Sequence, residues 1–225
     1  MKKLDLLILA AGRGERLKKD IPKQFLTLCN KPIMIHTLDV FEPLPYVGTK
    51  IITAAPDYIH QTEDLLSDHN ITNFKVIAGG KTRAESVRNG LVHVSTDRVI
   101  THNAVVPFVT ETLVQNVVRE TYDCVTTVTP LEYNLCKGDD FAEHIVERHG
   151  LMLINSPQTF RTQCLRDCHE RAAREGYVPG SDCELMLHYG YTVRFVPGSV
   201  RNFKITTPLD LLLAEAIMKD PSLLP

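Results

Sequence analysis

The sequence predicts a doubly wound α/β fold on a mostly parallel sheet, in a single domain spanning residues 1–225. Short apolar runs alternate with segments of helical periodicity from the first residues to about Val128. The first run, residues 4–9, is continuously apolar except at Asp5, as a strand covered on both faces requires. Strand–helix alternation of this kind closes into a sheet through right-handed crossovers.

The elements follow in order. After the strand at 4–9, Pro32 opens a helical pattern through Ile33, His36, Thr37, Val40 and Phe41. Residues 51–55 form a second strand, 58–66 a helix, and 74–78 a third strand. Beyond the Gly79-Gly80 turn, Ala84, Val87, Leu91 and Val94 recur at helical spacing and give one apolar face. Val99 and Ile100 begin a fourth strand, and residues 124–128 a fifth. The alternation falters across 130–150, where mixed polarity and a turn signal at Lys137-Gly138-Asp139-Asp140 fit either a protruding arm or an ordinary excursion. Near the C-terminus Thr207 caps a helix with Pro208 first and Asp210 in its first turn. Leu209, Leu212, Leu213, Ala216 and Ile217 are its expected buried face.

Composition narrows the function classes. An apolar share of 44% and a charged share of 23% belong to a globular chain, not a disordered one. A net charge of −2 argues against a nucleic-acid surface, which needs a clear basic excess. No stretch approaches the roughly 20 apolar residues of a membrane span. The start resembles a signal peptide only superficially, because Asp5 interrupts a short apolar run and basic residues follow at once. The six cysteines contain no CxxC pair, and Cys164, Cys168 and His169 read as reduced groups on a helix rather than a metal cluster. A cytoplasmic protein is expected.

The most informative segment is the loop that leaves the first strand at its C-terminal end, where ligands sit in open α/β sheets. Gly12 and Gly14 let the backbone turn tightly and present bare N–H groups to an anion, and Arg13, Arg16, Lys18, Lys19 and Lys23 add positive charge. A dinucleotide-binding GxGxxG needs glycine where Leu17 stands, and a P-loop needs a Gly-Lys-Ser/Thr that is absent. A solvated connecting loop is the bland alternative; two glycines directly after the first strand favour phosphate.

Here the chain resembles a known family. The loop is similar to the AAGxGxR…PKQ signature of the cytidylyltransferases acting on 2-C-methyl-D-erythritol 4-phosphate, and equally to their relatives acting on ribitol 5-phosphate. Gly79-Gly80-Lys81-Thr82-Arg83 through Ser86, Val87, Gly90 and Leu91 resembles GGxxRxxSVxxGL. Residues 101–109 resemble HDAxRPFV, Arg148 with Ser156-Pro157-Gln158-Thr159-Phe160 an arginine and TPQxF pair, and residues 202–211 NIKITTPxDL. Five such matches in order cover nearly the whole chain.

The resemblance implies a Rossmann-like nucleotidyltransferase fold, CTP and a polyol phosphate as substrates, and a magnesium ion. It implies that Arg16 and Lys23 stabilise the transition state and that Arg148 and Lys204 steer the incoming phosphate. Ala10, Ala11, Gly12 and Gly14 would meet the nucleotide, and Gly80, Arg83 and Ser86 match the region holding the cytosine. Taken singly, Arg83 reads equally as a surface helix residue and Ser86 as a helix-start hydroxyl; Gln24 and Gln158 read as ties between loops. A homodimer is implied, with the 130–150 arm embracing the partner. The chain departs from the family at Asn103, which replaces a metal-holding aspartate, at Val106, which replaces an arginine, and at Glu132, Tyr133 and Asn134, which replace an Asp-Thr pair. A divergent enzyme with another acceptor, such as a precursor of a cell-surface polymer, and a non-catalytic nucleotide-binding relative are both compatible with these changes. A dehydrogenase would lack its glycine at Leu17. A hydrolase built on His36 or His102 would lack a GxSxG elbow.

Overall fold

The computed structural model describes residues 3–12 and 21–223. Its centre is a seven-stranded sheet. The strands in chain order are β1 (Leu4–Ala10), β4 (Val47–Ala54), β5 (Phe74–Ala78), β6 (Arg98–Asn103), β7 (Cys124–Pro130), β10 (Met152–Arg161) and β11 (Val193–Pro197). Two two-stranded pieces lie outside it, β2 (Thr27–Leu28) with β3 (Lys31–Pro32), and β8 (Leu135–Gly138) with β9 (Ala142–Val146). The spatial order is β11-β7-β10-β6-β1-β4-β5. Every central pairing is parallel except those of β10, which runs antiparallel to both β6 and β7.

The period of two along β1 divides the core. Leu4, Leu6, Ile8 and Ala10 enter one layer, packed against α1 (Ile33–Phe41), α2 (Ile59–Asp68) and α4 (Glu111–Val118). Leu7 and Leu9 enter the other, against α3 (Arg83–Leu91), α5 (Thr162–Glu175) and α6 (Asp182–His188). Asp5, the one charge in this strand, is 1% exposed. Its carboxylate accepts from the backbone N–H groups of Thr49, Ser95 and Thr96, at 2.7, 2.6 and 3.1 Å. A buried charge persists only when satisfied in this way, and here it ties the lower ends of β1, β4 and β6 together.

The expected strands and helices up to Val128 are present. The 130–150 excursion is the β8–β9 hairpin, an arm with Phe141 86% and Ile145 71% exposed. The C-terminal helix α7 (Pro208–Lys219) carries the expected capping box, Thr207 with Asp210. Its buried face differs from the expected one. Ala214 and Ile217 are buried, with Leu211 and Met218 packed beside them, whereas Leu209, Leu212 and Leu213 are exposed at 73%, 63% and 44%. A leucine-rich helix offers two stripes of suitable spacing, and the one carrying small Ala214 seats against Leu28, Ile33, Val105 and Ile205. No helix among the described residues is long and apolar enough to cross a membrane.

Candidate active site

The chain winds outward from β1 through β4 and β5, then crosses over to β6 on the other side of β1, so the crevice above the C-terminal end of β1 is the switch point where α/β folds bind ligands. A cleft of about 730 Å³ opens there. Ala10 ends β1 in its wall, Ala11 and Gly12 continue it, and a Cβ on Gly12 would meet nothing within 4 Å among the described residues.

Lys23 and Lys204 also line this cleft. Lys23 starts a 3-10 turn (Lys23–Phe25) and is only 8% exposed, its ammonium donating to the carbonyl of Ile205 at 3.0 Å. Ile205 is itself fixed: its N–H donates to the Val105 carbonyl at 2.9 Å, and its side chain joins a small core with Leu28, Ile33 and Ala214. Neighbouring Lys204 is therefore carried on a rigid support. Gln24 donates to the Ala10 carbonyl at 2.7 Å, the structural tie expected of it, whereas Gln158 donates to Thr126 Oγ1 at 3.0 Å and joins strand β10 to β7 rather than two loops.

The second wall is the Gly79–Ser86 loop. Thr82 caps α3 by accepting from Glu85 N–H at 3.1 Å, and the Glu85 carboxylate accepts from Lys81 N–H at 2.7 Å. A Cβ on Gly79 would stand 2.5 Å from that of Ala11, and one on Gly80 2.1 Å from that of Glu85, so only glycine lets this loop pack on β1 and α3. Ser86 lines the cleft, but its hydroxyl is committed, accepting from Gly80 N–H at 3.0 Å and donating to the Thr82 carbonyl at 2.9 Å. It shapes the loop. Arg83 lines the cleft and pairs with Asp182 at 2.7 Å.

Asn103, at the end of β6, lines the floor, its N–H and its amide nitrogen both 3.4 Å from Ser156 Oγ. His102 beside it is 1% exposed, packs on Phe41, and bonds through Nε2 to the Val106 carbonyl at 3.1 Å. Burial pushes its pKa down to about 4, so at neutral pH it is an uncharged core residue and not a proton shuttle. His36 is likewise held, at 2.8 Å, by the Leu28 carbonyl. Val106 is fully buried at the position where the family pattern has an arginine.

Nine of the residues singled out from sequence thus border one cleft: Ala10, Ala11, Gly12, Lys23, Gly80, Arg83, Ser86, Asn103 and Lys204. Arg16 and Gly14 lie outside the described residues. Arg148 does not line this cleft; it follows the arm, exposed, and donates to the Glu132 carbonyl at 2.7 Å. Lys81 and Thr206 line the cleft without being singled out from sequence, as does Asp57, which reads in sequence as the opening of the next helix. Asp57 carries a weak signal, following Pro56 at the end of the second strand.

A family model described as IspD, 2-C-methyl-D-erythritol 4-phosphate cytidylyltransferase, matches residues 4–220. The chain belongs to this family. It is a CTP-dependent nucleotidyltransferase. A protein of that name from Clostridium botulinum strain 657 is 35% identical over 226 residues, covering 97% of this chain and 99% of its own. Another from Geotalea uraniireducens is 37% identical over 228 residues, covering 95% of each. Among solved structures, the 2-C-methyl-D-erythritol 4-phosphate cytidylyltransferase of Thermus thermophilus superposes with a TM-score of 0.80 at 28% identity, covering 96% of this chain and 99% of that one. The 4-diphosphocytidyl-2C-methyl-D-erythritol synthase of Anaerococcus prevotii shares the fold, with a TM-score of 0.85 at 23% identity over 97% of this chain and 96% of that one.

Among the described residues no group of three or more His, Cys, Asp or Glu side chains is placed to hold a metal. Asn103 offers one neutral oxygen at the cleft floor. Magnesium commonly takes few protein ligands and completes its shell with substrate phosphates and water.

Proposed function

We propose that this chain transfers CMP from CTP to 2-C-methyl-D-erythritol 4-phosphate and releases pyrophosphate. The observation that carries this reading is the convergence on one cleft of four motifs, ending in Lys23, Asn103, Lys204 and the Gly80–Ser86 loop. Near full-length identity to proteins named for that acceptor supports the choice. A binding module would not need this set of cations.

In the reaction, a phosphate oxygen of the acceptor attacks the α-phosphorus of CTP. The bond to the bridging oxygen breaks, and pyrophosphate leaves with the electron pair. The attacking phosphate is already anionic at neutral pH, so no general base is required; positioning and fixed positive charge lower the barrier. Lys23 and Arg16 stabilise the charge that builds at phosphorus, and Lys204 steers the acceptor phosphate. Asn103 would lend an amide oxygen to a magnesium ion, which would neutralise charge on the triphosphate.

Arg148 completes the phosphate-steering pair if a second copy extends its arm to this cleft. The exposed apolar residues of the arm, Phe141 at its tip and Ile145 on β9 opposite Cys136, are what such a homodimer would cover. The test is an acceptor panel with CTP and magnesium, following pyrophosphate. Turnover with methylerythritol 4-phosphate well above ribitol 5-phosphate supports the reading. Preference for ribitol 5-phosphate transfers the assignment to that acceptor, and silence across the panel with CTP still bound returns the non-catalytic reading.

A further inference from the structure

We propose that Asp182 and His169 are positioning residues for recognition of the nucleotide base, acting through Arg83; this rests on the cleft being the nucleotide site. Arg83 is the first residue of α3, its side chain 34% exposed in the cleft wall, and its Nη2 lies 2.7 Å from Asp182 Oδ2. Asp182, the first residue of α6, is fully buried, and its other oxygen accepts from His169 Nε2 of α5 at 3.0 Å. Neither Asp182 nor His169 borders the cleft. The support is rigid, since adjoining Cys183 is buried with its sulfur 3.8 Å from that of Cys124 and 3.3 Å from Gln158 Nε2.

Two consequences follow from this clamp. Burial alone would raise the Asp182 carboxyl, but Arg83 and His169 outweigh it and hold the group well below the usual carboxylate range. It is therefore an anion, and at 2.7 Å it cancels much of the guanidinium's field, leaving Arg83 poorly suited to a triphosphate. A guanidinium also carries five N–H donors and no acceptor. With Nη2 tied back, Arg83 presents a fixed, donor-only surface, suited to a neutral edge of acceptors. Cytosine offers such an edge in N3 and O2; uracil carries a hydrogen on N3 and meets donor with donor. The clamp therefore selects CTP over UTP, and loses that selection when Arg83 is released.

The experiment measures Kd for CTP and for UTP by calorimetry, with magnesium, in the wild type and in variants. Asp182→Asn is expected to weaken CTP about tenfold and to shrink the CTP-over-UTP ratio by a similar factor. His169→Leu is expected to lose part of the ratio, and His169→Gln, which keeps a donor to Asp182, to retain more of it. This pair carries the test if Asp182→Asn does not fold. In an Arg83→Gln background, His169→Leu should change the ratio no further, a non-additivity that a merely structural role would not produce. Unchanged CTP-over-UTP ratios in the folded variants, or additive losses in the double variant, would overturn the proposal. A wild type that binds neither nucleotide would instead sink the reading of the cleft, and this inference with it.

Discussion

Lys23→Met separates chemistry from folding. The lysine is 8% exposed and its ammonium donates at 3.0 Å to the Ile205 carbonyl, bridging two motifs of the cleft. Methionine keeps the apolar stem and removes the charge. The lost hydrogen bond from a charged donor is worth about 1.5–3 kcal/mol. Against this, keeping an ammonium out of water costs several kcal/mol, which the substitution relieves. The two offset, and the fold should change by no more than about 1 kcal/mol, a Tm shift of about 2–4 °C for a chain of this size. Catalysis has no such compensation. Losing one preorganised stabiliser of the transferring phosphorus costs about 2.7–4 kcal/mol, or roughly 10²–10³ in kcat. The assay is continuous pyrophosphate release at saturating CTP and acceptor, with thermal unfolding on the same preparation. Activity within about threefold of wild type would refute the role given to Lys23. A Tm lowered by more than about 10 °C would show that the residue acts through the fold instead.

Gly90→Ala tests the packing of α3 on β1, because its Cβ would stand 2.3 Å from Cδ1 of wholly buried Leu7. Overpacking of about 1–3 kcal/mol set against a helix-propensity gain of about 1 kcal/mol leaves a net loss of up to about 2 kcal/mol, so unfolding should come up to about 8 °C earlier; a raised Tm contradicts this. His102 sets an acid limit. Its folded pKa of about 4 lies below the ordinary 6.5, so between these values the unfolded chain binds a proton the folded one does not, and stability falls as pH drops. The loss is on the order of 3 kcal/mol by pH 4, and denaturant midpoints of His102→Gln should fall less steeply than those of wild type. Asn103→Asp restores a carboxylate at the cleft floor and should lower the magnesium concentration for half-maximal turnover about tenfold, with tighter manganese binding in the CTP complex by paramagnetic resonance; equal metal affinity rejects the role of position 103. Phe141→Glu with Ile145→Glu on the exposed arm should give a folded monomer by light scattering that binds CTP but has lost turnover, and a fully active monomer would dismiss the dimer.

The first strand and the capped C-terminal helix are legible because each depends on neighbours in sequence. Period and capping chemistry are local, and Thr207 and Asp210 stand where those rules put them. Elements α4, β10, α6 and β11 escape the same reading, and of α5 it shows only that Cys164, Cys168 and His169 share a helix. Pro157 lies inside β10, where proline ordinarily argues against a strand, and the exposed pattern of β11 hides its pairing with β7. In α5 the cysteines draw attention while Leu165, Cys168 and Ala172 mark its buried stripe. The exposed leucines of α7 show the complementary limit: two stripes fit one helix, and only tertiary packing chooses. Asp182 looks in sequence like an ordinary acid in the first turn of a helix, and only the approach of α3 and α5 buries it against Arg83 and His169.

The most direct measurement uses CTP labelled with ³²P either at the α-phosphorus or at the γ-phosphorus, incubated with magnesium and methylerythritol 4-phosphate. Cleavage between the α- and β-phosphates in this cleft sends the α-label into a cytidine diphosphate-linked product and the γ-label into pyrophosphate. Release of the γ-label as orthophosphate, or an α-label that never reaches the acceptor, would contradict nucleotidyl transfer here.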